Sequence, residues 1–222
     1  MEDSSWQTTI QDLGTPLHQV VFVVLDIETT GSAPHLGAGI TEIGAVKVQG
    51  GVELETFSSL VNPLHPIPSY ITNLTGIDNA LICNAPAIDS VLPDLLEFLG
   101  DEKTVFVAQN APFDLSFLKA AARLHGYRWP KLRVLDTAIL ARLLLTREEA
   151  PNCKLGTLAR FFGAEVTPNH RALDDAKATV DVLHGLFERL AGFDIFTIEE
   201  ALNFTSKQKF ESIKRPTSPV KK

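Results

Sequence analysis

An apolar segment near the start of the chain constrains the fold more than any other feature. Residues Val20 to Leu25 carry only apolar side chains, most of them β-branched, and the run continues to Ile27 with a single acid at Asp26. Continuous apolar strands occur where a sheet is buried between other layers. Val20–Ile27 is therefore predicted to be a central strand of a sheet that other elements cover.

The rest of the chain supplies the remaining strands and the covering layers. Ile40–Val48 and Val52–Val61 flank a Gln49-Gly50-Gly51 turn and predict a hairpin. Shorter strands are predicted at Thr104–Ala108 and Arg133–Leu135. Apolar spacing and boundary residues predict helices over Pro86–Leu99, Pro112–Leu124, 136–145, Leu155–Phe162 and Arg171–Leu190. This order predicts an α/β fold with a mixed five-stranded sheet flanked by helices.

The predicted domain spans residues 19–192. Residues 1–18 are polar and aperiodic, which predicts a loose leader. Residues 193–222 are predicted to form a C-terminal extension, and the Lys-, Ser- and Pro-rich composition beyond Thr205 predicts a disordered tail. This tail is either a linker or an arm that touches nucleic acid. Its basic residues are Lys207, Lys209, Lys214, Arg215, Lys221 and Lys222.

Composition argues against several classes of protein. The net charge is −7, which is unlike a protein that coats nucleic acid electrostatically but is compatible with an enzyme that holds a strand end through metal ions. No segment reaches the roughly 18 apolar residues of a membrane span, and residues 1–15 do not resemble a secretion signal. Cys83 and Cys153 predict neither a disulfide framework nor a zinc site, and we expect reduced thiols in a cytoplasmic protein.

Two acids stand where the first strand ends. Asp26 and Glu28 are two residues apart, so both side chains project from the same face of a strand, beside the Thr29-Thr30-Gly31 turn. A pair of carboxylates is costly unless a cation lies between them, and Mg²⁺ or Mn²⁺ prefers oxygen ligands. The pair predicts either a metal site or a solvated strand end.

Further candidates begin two of the helices. Asp114 lies in the first turn of its helix, a place where the helix dipole favours an acid in any protein. In the last long helix, Asp175 borders the apolar face and Asp174 lies on the polar face, so Asp175 is predicted to point inwards and to require a partner. His170 precedes this helix and either reaches the same site or is an ordinary surface residue.

Together these segments are far more specific than each is alone. Asp26-Ile27-Glu28-Thr29-Thr30-Gly31, Asn110-Ala111-Pro112-Phe113-Asp114 and His170-Arg171-Ala172-Leu173-Asp174-Asp175 resemble the three exonuclease motifs of the DEDDh family, in the family's order and with its usual separations. The resemblance is strongest to the DnaQ-like group, which includes the epsilon proofreading subunit of bacterial DNA polymerase III. It implies a ribonuclease H-like fold and release of nucleoside 5′-monophosphates from a 3′ end.

The resemblance also implies a cofactor and a role for each matching residue. It implies two divalent metal ions, Mg²⁺ or Mn²⁺, of which one activates a water and the other neutralises the departing 3′ oxygen. The implied metal ligands are Asp26, Glu28, Asp114 and Asp175, and the implied general base is His170. The implied substrate-binding residues are Thr29, Thr30, Gly31, Leu74, Ile77, Asn110 and Phe113. For Leu74 and Ile77, simple packing around a helix end at Gly76 is an equal alternative.

Three hypotheses for function follow. The first is a proofreading or repair exonuclease that acts on the 3′ end of DNA, expected to be single-stranded, alone or beside a DNA polymerase subunit. The second is an RNA-trimming exonuclease of the same superfamily, since no residue recognisably reads a 2′-hydroxyl. The third is a catalytically silent adaptor, against which the presence of all five expected polar residues argues. None of the three involves a membrane.

Overall fold

The computed structural model describes residues 14–205 and residue 209. Its strands form one five-stranded sheet in the order β3-β2-β1-β4-β5. β1 pairs antiparallel with β2 and parallel with β4, so the predicted central strand lies in the middle of a mixed sheet and that prediction is confirmed. The strand bounds are β1 Phe22–Thr29, β2 Ile40–Gln49, β3 Val52–Leu60, β4 Val105–Ala108 and β5 Arg133–Asp136.

Helices cover both faces of this sheet. Short 3₁₀ helices at Leu17–Gln19 and Pro34–Leu36 accompany the α-helices. No helix in the described part of the chain is both long enough and apolar enough to cross a bilayer. The α-helix bounds are α1 Ser69–Thr75, α2 Asn79–Ile82, α3 Ile88–Leu99, α4 Ala111–Leu124, α5 Thr137–Leu144, α6 Leu155–Phe162, α7 Ala172–Ala191 and α8 Ile198–Leu202.

The alternating side chains of β1 contribute to two separate cores. Val24 packs into the core formed with α5 to α8, whereas Val23 and Leu25 pack into the core formed with α3 and α4. All three side chains are fully buried. Burial of a Val or Leu side chain stabilises a fold by about 1.5–3 kcal/mol. β1 therefore gives the residues at its C-terminal end a firmly anchored support.

The sequence prediction gives no bounds for three short helices. α1, α2 and α8 have seven, four and five residues, too few to display a hydrophobic period. Their ends nevertheless carry local signals. The Asp78 side chain accepts a hydrogen bond from the N–H of Leu81 at the start of α2. Thr197 and Glu200 form a capping box at the start of α8, and the spacing of these two residues predicts such a helix start from the sequence.

The ends of the described chain are tied to the domain. The N–H of Thr15 donates to Glu199 (2.7 Å) and the N–H of Leu17 donates to the carbonyl of Phe196 (2.9 Å). Residues 14–18 of the predicted leader are thus held against the region of α8, while residues 1–13 lie outside the described residues. The predicted disordered tail also lies outside them, except for Lys209, whose ammonium donates to the carbonyls of Leu143 and Leu144.

Candidate active site

The first predicted acids lie at the C-terminal end of β1. Asp26 and Glu28 are both partly exposed and alternate with Leu25 and Ile27, which are buried. The two carboxylates therefore project from one face of the strand, as predicted. The register pairs Asp26 with Gly44 and Glu28 with Glu42 on β2, and the pairing shifts immediately after Glu28. This irregularity ends the strand directly beyond the acids.

Hydrogen bonds hold the turn that follows. The hydroxyl of Thr29 donates to the carbonyl of Gly31 (2.7 Å). Thr30 and Gly39 exchange two bonds of 2.9 Å, in which each backbone N–H donates to an oxygen of the other residue. Both threonine side chains are buried. The backbone of this turn can therefore bind a ligand, whereas the two threonine hydroxyls already form hydrogen bonds within the protein.

Asp114 approaches the same strand end from α4. Asn110 adopts a left-handed conformation (φ 69°) that redirects the chain from β4 into the helix, and its N–H donates to Asp136 (3.3 Å). Asp114 then falls in the first turn of α4 and is only 2% exposed. Its charge raises the pKa of Asp26, and the backbone of Ile27 lowers the pKa of Asp114 itself. These interactions place Asp114 beside the segment that carries Asp26 and Glu28.

The start of α7 supplies the remaining candidates. Asp175 is buried and accepts a hydrogen bond from the N–H of Asn169 (2.9 Å), whereas Asp174 is partly exposed and accepts from the side chain of Asn169 (2.8 Å). The helical phase predicted for the two acids is therefore confirmed. His170 is exposed and left-handed (φ 61°), so its imidazole stands at the mouth of the site.

Three of the five predicted residues converge closely. Glu28, His170 and Asp175 each offer a ligand atom, and these atoms lie within 4.8 Å of one another. Asp26 and Asp114 fall outside that mutual distance among the described residues, yet they belong to the same electrostatic cluster. The charges of Asp114, Asp175 and Glu28 all raise the pKa of Asp26, after burial, which is the largest cause.

The cluster carries more negative charge than its surroundings can stabilise. Burial raises the pKa of Glu28 to about 8, with further increases from Asp175 and Glu42. Burial likewise raises the pKa of Asp114 to about 8, against the opposing effect of its backbone hydrogen bonds. The pKa of Asp175 is also raised by burial. Buried carboxylates of this kind ionise fully only when a cation compensates them, and an oxygen-rich donor set fits a hard divalent cation.

Sequence reasoning missed Glu42 on β2. Its side chain is only 4% exposed, and it accepts hydrogen bonds from the guanidinium of Arg171 (2.7 and 3.1 Å) and from the N–H of Ala172 (2.9 Å). A glutamate beside Ile43, Ala45 and Val46 in a predicted strand indicates a buried charge, and a buried charge requires a partner. The sequence alone does not show that this partner is Arg171, 129 residues away.

Two predicted substrate residues differ in accessibility. Leu74 is 51% exposed, whereas Ile77 is fully buried among Ile67, Ile71 and Ile82. Ile77 is thus a packing residue in this structure, as the alternative interpretation of this segment predicts, and it presents no surface to a base. The reason is the turn at Gly76 (φ 72°), which ends α1 and directs the next side chain inwards.

Phe113, within the second motif, and Gln109, just before it, both make contacts within the fold. Phe113 packs against Phe117 with ring centroids 5.2 Å apart and is partly buried. Gln109 immediately precedes Asn110 in the chain. Its amide donates to the carbonyl of Cys153 (2.6 Å), and its oxygen accepts from the hydroxyl of Thr137. Gln109 therefore joins β4 to α5 and to the segment before α6.

Curated proteins of similar sequence include exonucleases and polymerase components. The chain is 49% identical over 212 residues to a candidate bifunctional exonuclease/endonuclease of Mycobacterium tuberculosis, covering 91% of this chain and 33% of that protein. It is 42% identical to the PolC-type DNA polymerase III of Caldanaerobacter subterraneus (90% and 14%) and 38% identical to the DNA polymerase III subunit epsilon of Aquifex aeolicus (76% and 81%). The chain spans one third or less of the first two relatives.

Solved structures share the fold. Exonuclease X in complex with 5′ overhanging duplex DNA aligns with a TM-score of 0.59 at 24% identity, over 86% of this chain and 98% of that one. The nuclease domain of 3′hExo, a DEDDh family member bound to rAMP, aligns with a TM-score of 0.62 at 19% identity, over 77% and 92%. The RNase_T profile, described as Exonuclease, matches residues 23–183. The chain therefore belongs to the RNase_T exonuclease family, with the motifs and fold of a DnaQ-like 3′→5′ exonuclease.

Proposed function

We propose that this protein is a metal-dependent 3′→5′ exonuclease that releases nucleoside 5′-monophosphates from DNA ends. One observation carries the proposal. Glu28, His170 and Asp175 bring their ligand atoms within 4.8 Å of one another at the open end of β1, and Asp26 and Asp114 adjoin them. Membership of the family implies the use of divalent metal ions, and this acidic cluster is the candidate site for them.

The proposed roles follow from burial and position. Asp26, Glu28, Asp114 and Asp175 hold two Mg²⁺ or Mn²⁺ ions. Bound ions of this kind supply an ionised water and neutralise charge on the departing oxygen. His170 is the only exposed member of the five. Its imidazole stands where a general base can accept a proton from the attacking water.

The substrate end is proposed to lie across the Thr29–Gly31 turn. The turn offers backbone groups next to the acids, and Leu74 offers an exposed apolar side chain. Asn110 and Phe113, which flank the start of α4, complete the proposed contacts. We propose a single-stranded 3′ end because the reacting phosphodiester must reach acids that are partly or fully buried.

We also propose that the protein acts together with a DNA polymerase subunit. Relatives named as polymerase III subunit epsilon and as PolC-type polymerase support an association with DNA synthesis. We also propose a cytoplasmic location, consistent with the two free thiols of Cys83 and Cys153.

The test is digestion of 5′-labelled single-stranded DNA, matched duplex, 3′-mismatched duplex and RNA of equal length, with Mg²⁺ or Mn²⁺. We expect a ladder of single-nucleotide steps from the 3′ end of DNA and resistance of a 3′-phosphorothioate-capped strand. Cleavage of closed circular single strands at the same rate would identify an endonuclease instead. Preference for RNA over DNA would replace the DNA substrate in this proposal by the RNA alternative.

A further inference from the structure

The start of α7 is held by a residue on another element. Arg171, which precedes the helix, makes no capping hydrogen bond with its own side chain. Instead the Glu42 carboxylate on β2 accepts a hydrogen bond from the N–H of Ala172, the first residue of the helix (2.9 Å). The first N–H groups of a helix have no partner within it, so this bond across the fold replaces a local cap.

The same carboxylate binds the guanidinium of Arg171. Nη2 of Arg171 lies 2.7 Å from Oε1 of Glu42, and Nε lies 3.1 Å from Oε2. Such a two-point pair sets the orientation of both groups, because the planar guanidinium matches the carboxylate. The Glu42 side chain is 4% exposed and that of Arg171 is 44% exposed, so the pair reaches from the interior to the surface.

A second contact on β2 fixes the distance between the strand and the helix. Gly44 lies two residues beyond Glu42, and therefore on the same face of the strand. A Cβ atom built on Gly44 would overlap the backbone of Ala172 and Leu173. The first peptide of α7 thus rests directly on the strand at the one position without a side chain.

Arg171 connects this attachment to the site. His170 precedes it in a left-handed conformation (φ 61°), and the carbonyl of Arg171 accepts a hydrogen bond from the N–H of Asp175 (2.9 Å). A displacement of Arg171 would move both residues. Glu42 also lies opposite Glu28 in the register of β1 and β2, so the residue that binds Arg171 is a strand neighbour of one of the clustered acids.

We propose that Glu42 and Arg171 are positioning residues, which together with Gly44 set His170 and Asp175 against Glu28. The inference rests on the proposed nuclease function. It adds that the alignment of the cluster depends on an ion pair whose members contribute neither a metal ligand nor the general base.

The test compares this pair with a matched pair on the same helix. Arg189, near the other end of α7, binds Glu149 at 2.6 Å, and its side chain is 42% exposed. The test variants are Glu42→Gln, Arg171→Lys and the double variant Glu42→Gln/Arg171→Lys. The controls are Glu149→Gln and Arg189→Lys. For each variant, kcat and KM are measured at saturating Mg²⁺ on a single-stranded oligonucleotide, at a temperature well below its Tm.

We expect each single test variant to lower kcat by roughly ten- to hundredfold with KM changed by less than about twofold, since small displacements of reacting groups are costly. The kcat of the double variant should be no lower than that of the less active single variant, because the two residues act as one unit. The control variants should keep kcat within about twofold. Arg171→Lys keeps the charge at a partly exposed site and remains informative if Glu42→Gln does not fold.

Other outcomes would overturn the inference. A higher KM with unchanged kcat for Arg171→Lys would make Arg171 a substrate phosphate contact. Unchanged kcat in all folded test variants would mean that the pair has only a structural role.

A calorimetric Mg²⁺ titration tests the inference without turnover. We expect Glu42→Gln to bind Mg²⁺ about tenfold more weakly, because Asp175 is displaced. If the unmutated protein cleaves no nucleic acid, the proposed function fails, while unaltered Mg²⁺ binding in Glu42→Gln would defeat the positioning inference itself.

Discussion

The buried charge of Asp114 makes a testable prediction about stability without metal. The pKa of this carboxyl is about 8, whereas its ordinary value is 3.8. Since the folded-state pKa exceeds the unfolded one, the protonated acid favours the fold. That contribution is fully present below about pH 4 and is lost as the pH rises through about 8. Glu28, with a pKa of about 8 against 4.5, acts in the same direction.

Asp114→Asn removes the charge with little change of shape. A pKa difference of about four corresponds to roughly 6 kcal/mol above pH 9, at about 1.4 kcal/mol per pKa unit. The neighbouring acids share the repulsion, so we expect a net gain of about 2–4 kcal/mol for the metal-free variant. For a domain of this size, that gain raises Tm by roughly 5–15 °C.

The assay is thermal unfolding followed by circular dichroism in chelator at pH 5, 7 and 9, with Asp174→Asn as the control. The Tm of the unmutated protein should fall across this range, and Asp114→Asn should exceed it at pH 9. Added Mg²⁺ should stabilise the unmutated protein more than the variant, since binding to the folded state raises stability. A flat Tm between pH 5 and 9, or an Asp114→Asn variant less stable than the unmutated protein at pH 9, would refute the reasoning.

Three further predictions concern catalysis. Asp175→Asn should abolish cleavage, while Asp174→Asn should keep most of it, because only Asp175 points into the cluster; steady-state rates on labelled DNA check the ranking, and the reverse order would contradict the proposed assignment. His170→Ala should lower kcat by about 10²–10⁴-fold with metal affinity little changed; loss of metal binding in calorimetry would instead make His170 a ligand. Chelation by EDTA should stop turnover and Mg²⁺ or Mn²⁺ should restore it, whereas full activity in EDTA would exclude the two-metal scheme.

Much of this architecture follows from local patterns. The apolar run of β1 predicts its central place, because a strand without polar faces must be covered on both sides. The helical phase of α7 predicts that Asp175 is buried and Asp174 is not, because both follow from the period of one helix. Asp26 and Glu28 share a face for the equivalent reason on a strand. Each of these properties depends on residues close together in the chain.

Other properties depend on which distant segments meet. Glu42 is only an unexplained acid in the sequence, and the fold makes it the partner of Arg171, 129 residues away. Ile77 resembles a substrate contact in its motif, yet the turn at Gly76 buries it completely. The raised pKa values of Glu28 and Asp114 likewise exist only in the folded chain, because burial and the approach of other acids cause them. Residue type and spacing therefore determined the candidate chemistry, whereas packing decided which side chains are reachable, charged and held in place.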